Sequence, residues 1–576
     1  MMFHSRNAEH RSPLGALPAG ETLTLRVVLP RHMHVSAVTL HWGDYDGATT
    51  HTQPFVWQSM QGEHEEIWGV HITVDEPGLF RYRFAVESAH GPAVIGHTGG
   101  GAGEIGCEGW WQLTVYDAGM QLPAWVKNGV IYQIFPDRFA RSCSKFNLDL
   151  SPWGTQPQWK PDEQGRITEY DFFGGDLRGI TEKLDILADI GVTCIYLNPI
   201  FAAESNHRYD TADYLQIDPM LGREADFTYL CQQARLHGIR VILDGVFSHT
   251  GKRSVYFESA QASQDSLYYP WYQFHQWPHD YASWWGIDIL PELREDHPDV
   301  LEFFVGEQGV VRHWLRAGAA GWRLDVADEL PDIFLDKLFA AAQDENPDSY
   351  ILGEVWEDAS NKHSHGGRRR FLQGGQMHSV MNYPLANAIV DFALHAQAEQ
   401  LGEVIMQQQE NYPPFALHGL MNHIGTHDTA RILNRLAGQS PGRESSPIPA
   451  DLLETARKRL KLCAALQFTL PGNPCIYYGD EAGLQGGQDP FNRACYPWGN
   501  EDEDLLAYYR MLGKLRRTHD FTADFRMISA AMGCLCYQVG DLAVIANANA
   551  HDIEYTLPSG KQVQVGAMAC YFFEKK

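Results

Sequence analysis

Residues 321–329 read GWRLDVADE. The first half is an apolar, strand-like run, and side chains alternate across a strand, so Arg323 and Asp325 share one face while Leu324 takes the other. Where such a strand ends in a cleft, the guanidinium keeps the carboxylate ionised and oriented, as an attacking carboxylate requires. A purely structural salt bridge is the other reading of the same pair. Seven further runs have the same strand-like character: GVIYQIF (129–135), VTCIYLNPI (192–200), RVILDGVF (240–247), YILGEVW (350–356), SVMNYPL (379–385), LMNHIGT (420–426) and PCIYYGD (474–480). With GWRLDVA they make eight, separated by helical segments, which is the requirement of a closed parallel (β/α)8 TIM barrel.

The segments between runs support that fold class. DLRGITEKLDILADIGV places Leu177, Ile180, Leu184, Leu187 and Ile190 at helical spacing and stops at Gly191, and ADFTYLCQQARLHG repeats the pattern before the third run. About fifty residues rich in Trp, Tyr, Pro and His follow DGVFSH before a helical segment at 300–317. A structureless insertion of that length is uncommon in a compact domain, so residues 250–298 read as a subdomain inserted after strand 3 and packed at the cleft rim, with Trp271, Trp284 and Trp285 in it. Before the barrel, residues 1–119 alternate apolar and polar positions, as in Leu23, Leu25, Val27 and Leu29 or Phe80, Tyr82, Phe84 and Val86, the signature of a β-sandwich. The glycine-rich stretch 96–106 reads as a flexible loop ahead of its last strand. A boundary is expected near 120, the barrel over 120–519, and a C-terminal β-domain over 520–576, where β-alternation returns in LAVIANA and IEYTL.

The formal charge of −27 argues against nucleic acid or an anionic membrane as partner, since phosphate binding needs clustered Lys and Arg. The start, MMFHSRNAEHRSPLG, lacks the basic and apolar regions of a signal peptide, and no apolar run reaches the length of a membrane span, so a soluble, cytoplasmic protein is expected. The ten cysteines are dispersed without a CxxC pair, as reduced core residues are. The HSH stretch at 363–365 has no metal-ligand spacing around it and reads as a solvated loop.

Asp244, Asp325, Glu354 and Asp428 fall at the ends of runs three, four, five and seven, where a barrel carries its active residues. Carboxylates converging there repel, and their pKa values separate, so that one can act as a nucleophile while another stays protonated as a general acid. That division of labour cleaves an acetal. His249, Arg323 and His427 add donors that orient the acids or bind sugar hydroxyls. The same acids could instead hold a hard cation.

The motifs GVIYQIFPDRF, DFFGGDLRGI, NHRYDTADY, DGVFSHT, SWWGIDILPEL, GWRLDVADE, ILGEVWED, IGTHDTAR and PCIYYGDEAG, in this order, resemble the α-amylase family, glycoside hydrolase family 13. The resemblance implies Asp325 as nucleophile, Glu354 as general acid/base and Asp428 as the third carboxylate. It implies Tyr209 stacking on the sugar at the cleavage subsite beside Arg323, His249 and His427, with Asp244 as structural support. GGQDPFNR is similar to the family's GGxDPxxR loop, which assigns Asp489 and Arg493 to the next sugar on the non-reducing side, and Trp356 becomes an aromatic platform on the leaving-group side. The N-terminal β-domain, the SWWG…LPEL stretch and the GGxDP loop look most like the cyclomaltodextrinase, neopullulanase and maltogenic amylase group, commonly dimeric through the N-terminal domain.

Some positions depart from that group's pattern. VADELPD replaces VANEVDH, GEVWED replaces GEIWHD, and ARSCSKFNLDLS (140–151) stands where an Asn/Asp-rich calcium loop is expected, so no metal ligand is carried over. The implied function is retaining hydrolysis of α-glucan oligosaccharides such as maltodextrins, cyclodextrins or pullulan without a required cofactor. An α-glucosidase or a 4-α-glucanotransferase would use the same three acids. A non-catalytic sugar-binding protein on the same fold would have no use for all of them.

Overall fold

The computed structural model describes residues 2–142, 150–159, 169–438, 442, 447–557 and 560–574. Most of the calcium-loop position, 143–149, lies outside the described residues.

Two compact units divide the chain, and the second holds the barrel. Its strands are β1 (Ile131–Ile134), β2 (Cys194–Leu197), β3 (Arg240–Gly245), β4 (Gly321–Leu324), β5 (Tyr350–Gly353), β6 (Ser379–Val380), β7 (Met421–His423) and β8 (Asn473–Tyr477). They lie parallel in the order 6-5-4-3-2-1-8-7, and a bridge between Met381 and Met421 joins the two ends into a closed ring. β1, β2, β4 and β5 are buried at every position. Strands covered on both faces need a continuous apolar run, and for that reason all eight are visible in the sequence as runs rather than as alternations.

The connections are less regular than the run-and-helix pattern implies. The segment after β1 forms two helices, α1 (Leu177–Thr181) and α2 (Leu184–Ile190), with a break at Lys183; its five apolar positions are all buried, and Gly191 closes α2 in the left-handed conformation at φ 100°. The helical segment at 300–317 is likewise two helices, α3 (Pro298–Val305) and α4 (Val310–Ala317). Gly306 and Gly309 separate them, and a Cβ on Gly309 would meet the Phe304 carbonyl oxygen at 2.7 Å. No helix follows β5. Residues 354–378 are all described and carry only a two-residue hairpin, His363–Ser364 with Gly367–Arg368, which contains the HSH stretch.

The insertion after β3 is folded. It has a helix (Val255–Ala262), a hairpin (Phe274–Gln276 with Asp280–Tyr281) and antiparallel bridges that tie Tyr272 to Leu293 and Ser283 to Pro291. Trp271 belongs to this subdomain's own core, packed against Tyr256, Tyr268 and Phe303, and not to the cleft rim. At the end of the chain, strands Phe525–Ala531, Cys534–Val539, Leu542–Asn547 and Ala569–Glu574 form an antiparallel sheet over a small core of Cys536, Ile545, Val563 and Val565.

The other unit comprises residues 1–121, 358–378 and 403–417. An eight-stranded sheet, antiparallel except where Leu17–Pro18 runs parallel to Trp111–Tyr116, and a four-stranded antiparallel sheet enclose one core, to which the alternating Leu23, Leu25, Val27 and Leu29 and Tyr82, Phe84 and Val86 contribute. The glycine-rich stretch is not a loop but a hairpin, Gly91–Gly99 with Ala102–Ile105. Its turn holds Gly99, Gly100 and Gly101 at φ 115°, 58° and 83°, and Gly103 lies against the Trp111 ring, where a Cβ would come within 2.6 Å. Glycine is needed there for conformation and close approach, and flexibility is not the reason. The two later segments are bound into this unit through Arg368 to Asp46 at 2.7 Å, Gln112 to Ser360 at 2.9 Å and Arg6 to Glu403 at 2.7 Å.

None of the nine described cysteines forms a disulfide. Among the described residues no helix is long and apolar enough to cross a membrane.

Candidate active site

Parallel register brings Asp244 on β3 opposite Arg323 on β4, and Leu324 opposite Gly353 on β5. The ends of these strands therefore deliver Asp244, Arg323, Asp325 and Glu354 to one rim. Arg323 is fully buried and joins the acids: Nη1 donates to Asp244 Oδ1 at 2.7 Å and to Asp325 Oδ1 at 2.8 Å, Nη2 donates to Glu354 Oε2 at 2.5 Å, and Nε faces the Met381 sulfur at 3.4 Å. The charge-assisted contacts fix all three carboxylates relative to one planar group.

A second network holds the opposite wall. Asp244 Oδ2 accepts from the hydroxyls of Tyr196 at 2.6 Å and Tyr209 at 2.9 Å. The Tyr209 oxygen also accepts from Asn198 at 3.0 Å and lies 2.6 Å from His427 Nε2. Because the Gln133 amide donates to His427 Nδ1 at 2.8 Å, the His427 proton belongs on Nε2, facing Tyr209 and, at 3.2 Å, Asp428 Oδ1. Burial, then Arg493 and Arg323, push the His427 imidazole well below its ordinary value, which keeps it neutral. His249 is also neutral: burial lowers it to about 4, and its Nε2 faces the Tyr209 carbonyl at 3.2 Å. Arg493 donates from Nε to the His427 carbonyl at 3.2 Å and reaches toward Asp428 Oδ1 at 4.0 Å and Glu169 Oε2 at 3.6 Å.

Tyr209, His249, Asp325, Glu354, His427, Asp428 and Arg493 border one cavity of about 1210 Å³. Of the sequence-predicted site residues, Tyr209, His249, Asp325, Glu354, Trp356, His427, Asp428, Asp489 and Arg493 line it, and Arg323 and the supporting Asp244 do not. Arg323 lies beneath the floor. Trp356 is 47% exposed, stacks on Tyr383 at 4.1 Å, and donates its indole N–H to Glu354 Oε1 at 3.0 Å. The Trp284 and Trp285 rings stack on each other at 4.6 Å on the cavity wall, and both indole N–H groups bond the carboxylate of Glu329, at 2.6 and 2.7 Å.

The electrostatics follow from crowding acids around few cations. Burial pushes the Asp325 carboxyl well up, the nearby Glu354 and Asp244 add to this, and Arg323 opposes it. Asp244 is raised by burial against Arg323 and its two tyrosine donors. Burial at the cavity floor and the Glu354 charge raise Asp428, with Arg493 and Arg323 opposing; a third of its side chain meets cavity water, which tempers the burial effect without reversing the carboxylate repulsion. Burial and mutual repulsion thus push Asp325, Asp244 and Asp428 toward their neutral forms, with Arg323 as the shared opposing charge.

Sequence reasoning passed over several participants. Tyr196 and Gln133 sit inside apolar runs read only as strands, and Asn198 directly follows the strand that carries Tyr196. Glu329 follows Asp325 by four residues, yet its role depends on tryptophans more than forty residues earlier. Val326 takes up φ 38°, a conformation strained for a β-branched residue, and its N–H donates to Glu354 Oε2 at 3.0 Å. Among the described residues no group of three or more His, Cys, Asp or Glu is placed to hold a metal ion.

A family model described as the catalytic domain of α-amylase matches residues 133–510. The chain belongs to the α-amylase family. It is 35% identical to an amylopullulanase from Thermoanaerobacter thermohydrosulfuricus over 88% of its length, but spans only 38% of that protein. It is 37% identical to a cyclomaltodextrinase from a Bacillus species, covering 71% of this chain and 70% of the relative. Among solved structures, the type III pullulan hydrolase from Thermococcus kodakarensis aligns over 100% of both chains with a TM-score of 0.70 and 28% identity. Within the α-amylase family, then, the cavity at the C-terminal ends of β3, β4, β5 and β7 is where function is to be sought.

Proposed function

We propose that the protein is a retaining α-glucan hydrolase acting on maltodextrins, cyclodextrins or pullulan. The observation that carries this reading is Arg323 bonded at once to Asp325 and Glu354 at the floor of a cavity wide enough for several sugar rings. Asp325 attacks the anomeric carbon, and Glu354 gives its proton to the glycosidic oxygen as that bond breaks. Glu354, now a carboxylate, then takes a proton from water, whose oxygen displaces Asp325 and releases the sugar with its starting configuration. Asp428, with His427 and Arg493 beside it, grips sugar hydroxyls on the side away from the leaving group, and Tyr209 presents its ring to the sugar at the cleavage point. Asp489 and Arg493 serve the next sugar on the non-reducing side, and Trp356 with the Trp284–Trp285 pair serves the leaving-group side, since aromatic faces bind sugar rings.

Product analysis on maltotriose, β-cyclodextrin and pullulan tests the reading. Release of glucose, maltose or panose-type products is expected, and failure to cleave any of the three would overturn it. We propose further that the protein is cytoplasmic and forms a homodimer through its N-terminal domain; a monomer by light scattering, or an unchanged dimer after removal of residues 1–119, would contradict the second point.

A further inference from the structure

The hydrogen bonds to Glu354 decide which of its oxygens can carry a proton. Oε2 accepts from Arg323 Nη2 at 2.5 Å and from the Val326 amide at 3.0 Å. Both are donors only, Arg323 is fully buried, and the Val326 amide is fixed by the backbone that follows β4. Two donors fill the two lone pairs of Oε2, so a proton has no place there. Glu354 lines the cavity, and its Oε1 accepts from one side chain, the Trp356 indole, at 3.0 Å. Its second lone pair is the position for the proton.

Resting on the acid/base reading of Glu354 above, we propose that Trp356 is a positioning residue: its indole N–H turns Oε1 toward the scissile bond and, by favouring the carboxylate over the acid, makes the Oε1 proton easier to give up. The ring's stack on Tyr383 at 4.1 Å sets the direction of the N–H. The contact therefore has two separable parts, an aromatic face for sugar and a donor for the acid. Hydrogen bonding to the charged form of a carboxyl favours that form. The charged and titratable groups that face Glu354 are Arg323 and Asp325 from β4 and its end, Asp244 behind Arg323 on β3, Asp428 after β7, and the phenols of Tyr196 and Tyr383. None of them contacts Oε1 directly, so the indole is the group whose removal acts on that oxygen.

Trp356→Phe keeps an aromatic ring over Tyr383 and removes the N–H. The alkaline limb of kcat/KM for maltotriose should move to higher pH by about one unit, the size expected for one lost charge-assisted hydrogen bond, while KM changes less than in Trp356→Ala. An active, folded Trp356→Phe protein with an unmoved alkaline limb would overturn the proposal. A second readout does not need activity. In protein labelled with 5-fluorotryptophan, the ¹⁹F resonance assigned to Trp356 by its loss in Trp356→Phe should titrate in parallel with the alkaline limb in the wild type and stay flat in Glu354→Gln. The same titration surviving in Glu354→Gln would show that the indole reports another group, and would also overturn the proposal. Failure of the acid/base reading looks different: Glu354→Gln would still hydrolyse maltotriose at the wild-type rate.

Discussion

Arg323 has no solvent to share its charge with; it depends on Asp244, Asp325 and Glu354, and they depend on it. Removing one partner of a buried ionic cluster leaves the others uncompensated, so Arg323→Ala should cost about 3–5 kcal/mol of stability, read from denaturant midpoints, as well as activity. Asp325→Asn is different, because the amide still fills the space and can still contact the cavity. That protein should melt within a few degrees of the wild type and lose turnover of every α-glucan by about 10⁴-fold or more; substantial residual hydrolysis would remove Asp325 from the nucleophile's role. Among single residues, those at strand ends were legible in the sequence, because an acid closing an apolar run is conspicuous. Gln133, Tyr196 and Asn198 were not, since a polar group inside or beside a buried strand shows its purpose only when its hydrogen-bond partner, here His427, Asp244 or Tyr209, is brought in from elsewhere in the chain.

At the scale of elements, Glu329 lies in the loop after β4 and holds two indoles of the inserted subdomain with its two oxygens. Trp285 is 76% exposed and sits at φ 51°, and its ring is held by this carboxylate and by the stack on Trp284. Glu329→Ala should raise KM for maltotriose and β-cyclodextrin about three- to tenfold, as one to two lost orienting hydrogen bonds would, with little change in the hydrolysis of a short aryl glycoside. Equal losses on both substrates would place Glu329 in the chemistry instead. The eight barrel strands were readable because each is a continuous apolar run, and the sandwich strands because they alternate. The helix breaks at Lys183 and at Gly306–Gly309 and the missing helix after β5 were not, since helical periodicity continues across a break in the backbone and the residues after β5 are bound into another unit. The glycine-rich hairpin was misread for a related reason: glycines that permit close packing against Trp111 look the same in sequence as glycines that loosen a loop.

At the scale of the whole molecule, a formal charge of −27 coexists with buried acids outside the cavity's immediate floor. Burial raises Glu481 to about 7 and Asp480 to about 6, the latter against the pull of Arg431. Both folded values exceed the ordinary carboxyl range, so each group's stabilising contribution is complete below about pH 4 and is lost as pH rises through 6 and 7. Tm should therefore decline between about pH 4 and 7, and Glu481→Gln should flatten that decline; an unchanged slope would show that Glu481 does not titrate in this window. The account as a whole rests on a double displacement at Asp325, and the configuration of the first-formed product tests it most directly. Proton NMR recorded in the first minutes of maltotriose or β-cyclodextrin hydrolysis, before mutarotation, should show the α-anomer at the new reducing end, whereas initial formation of the β-anomer would contradict it.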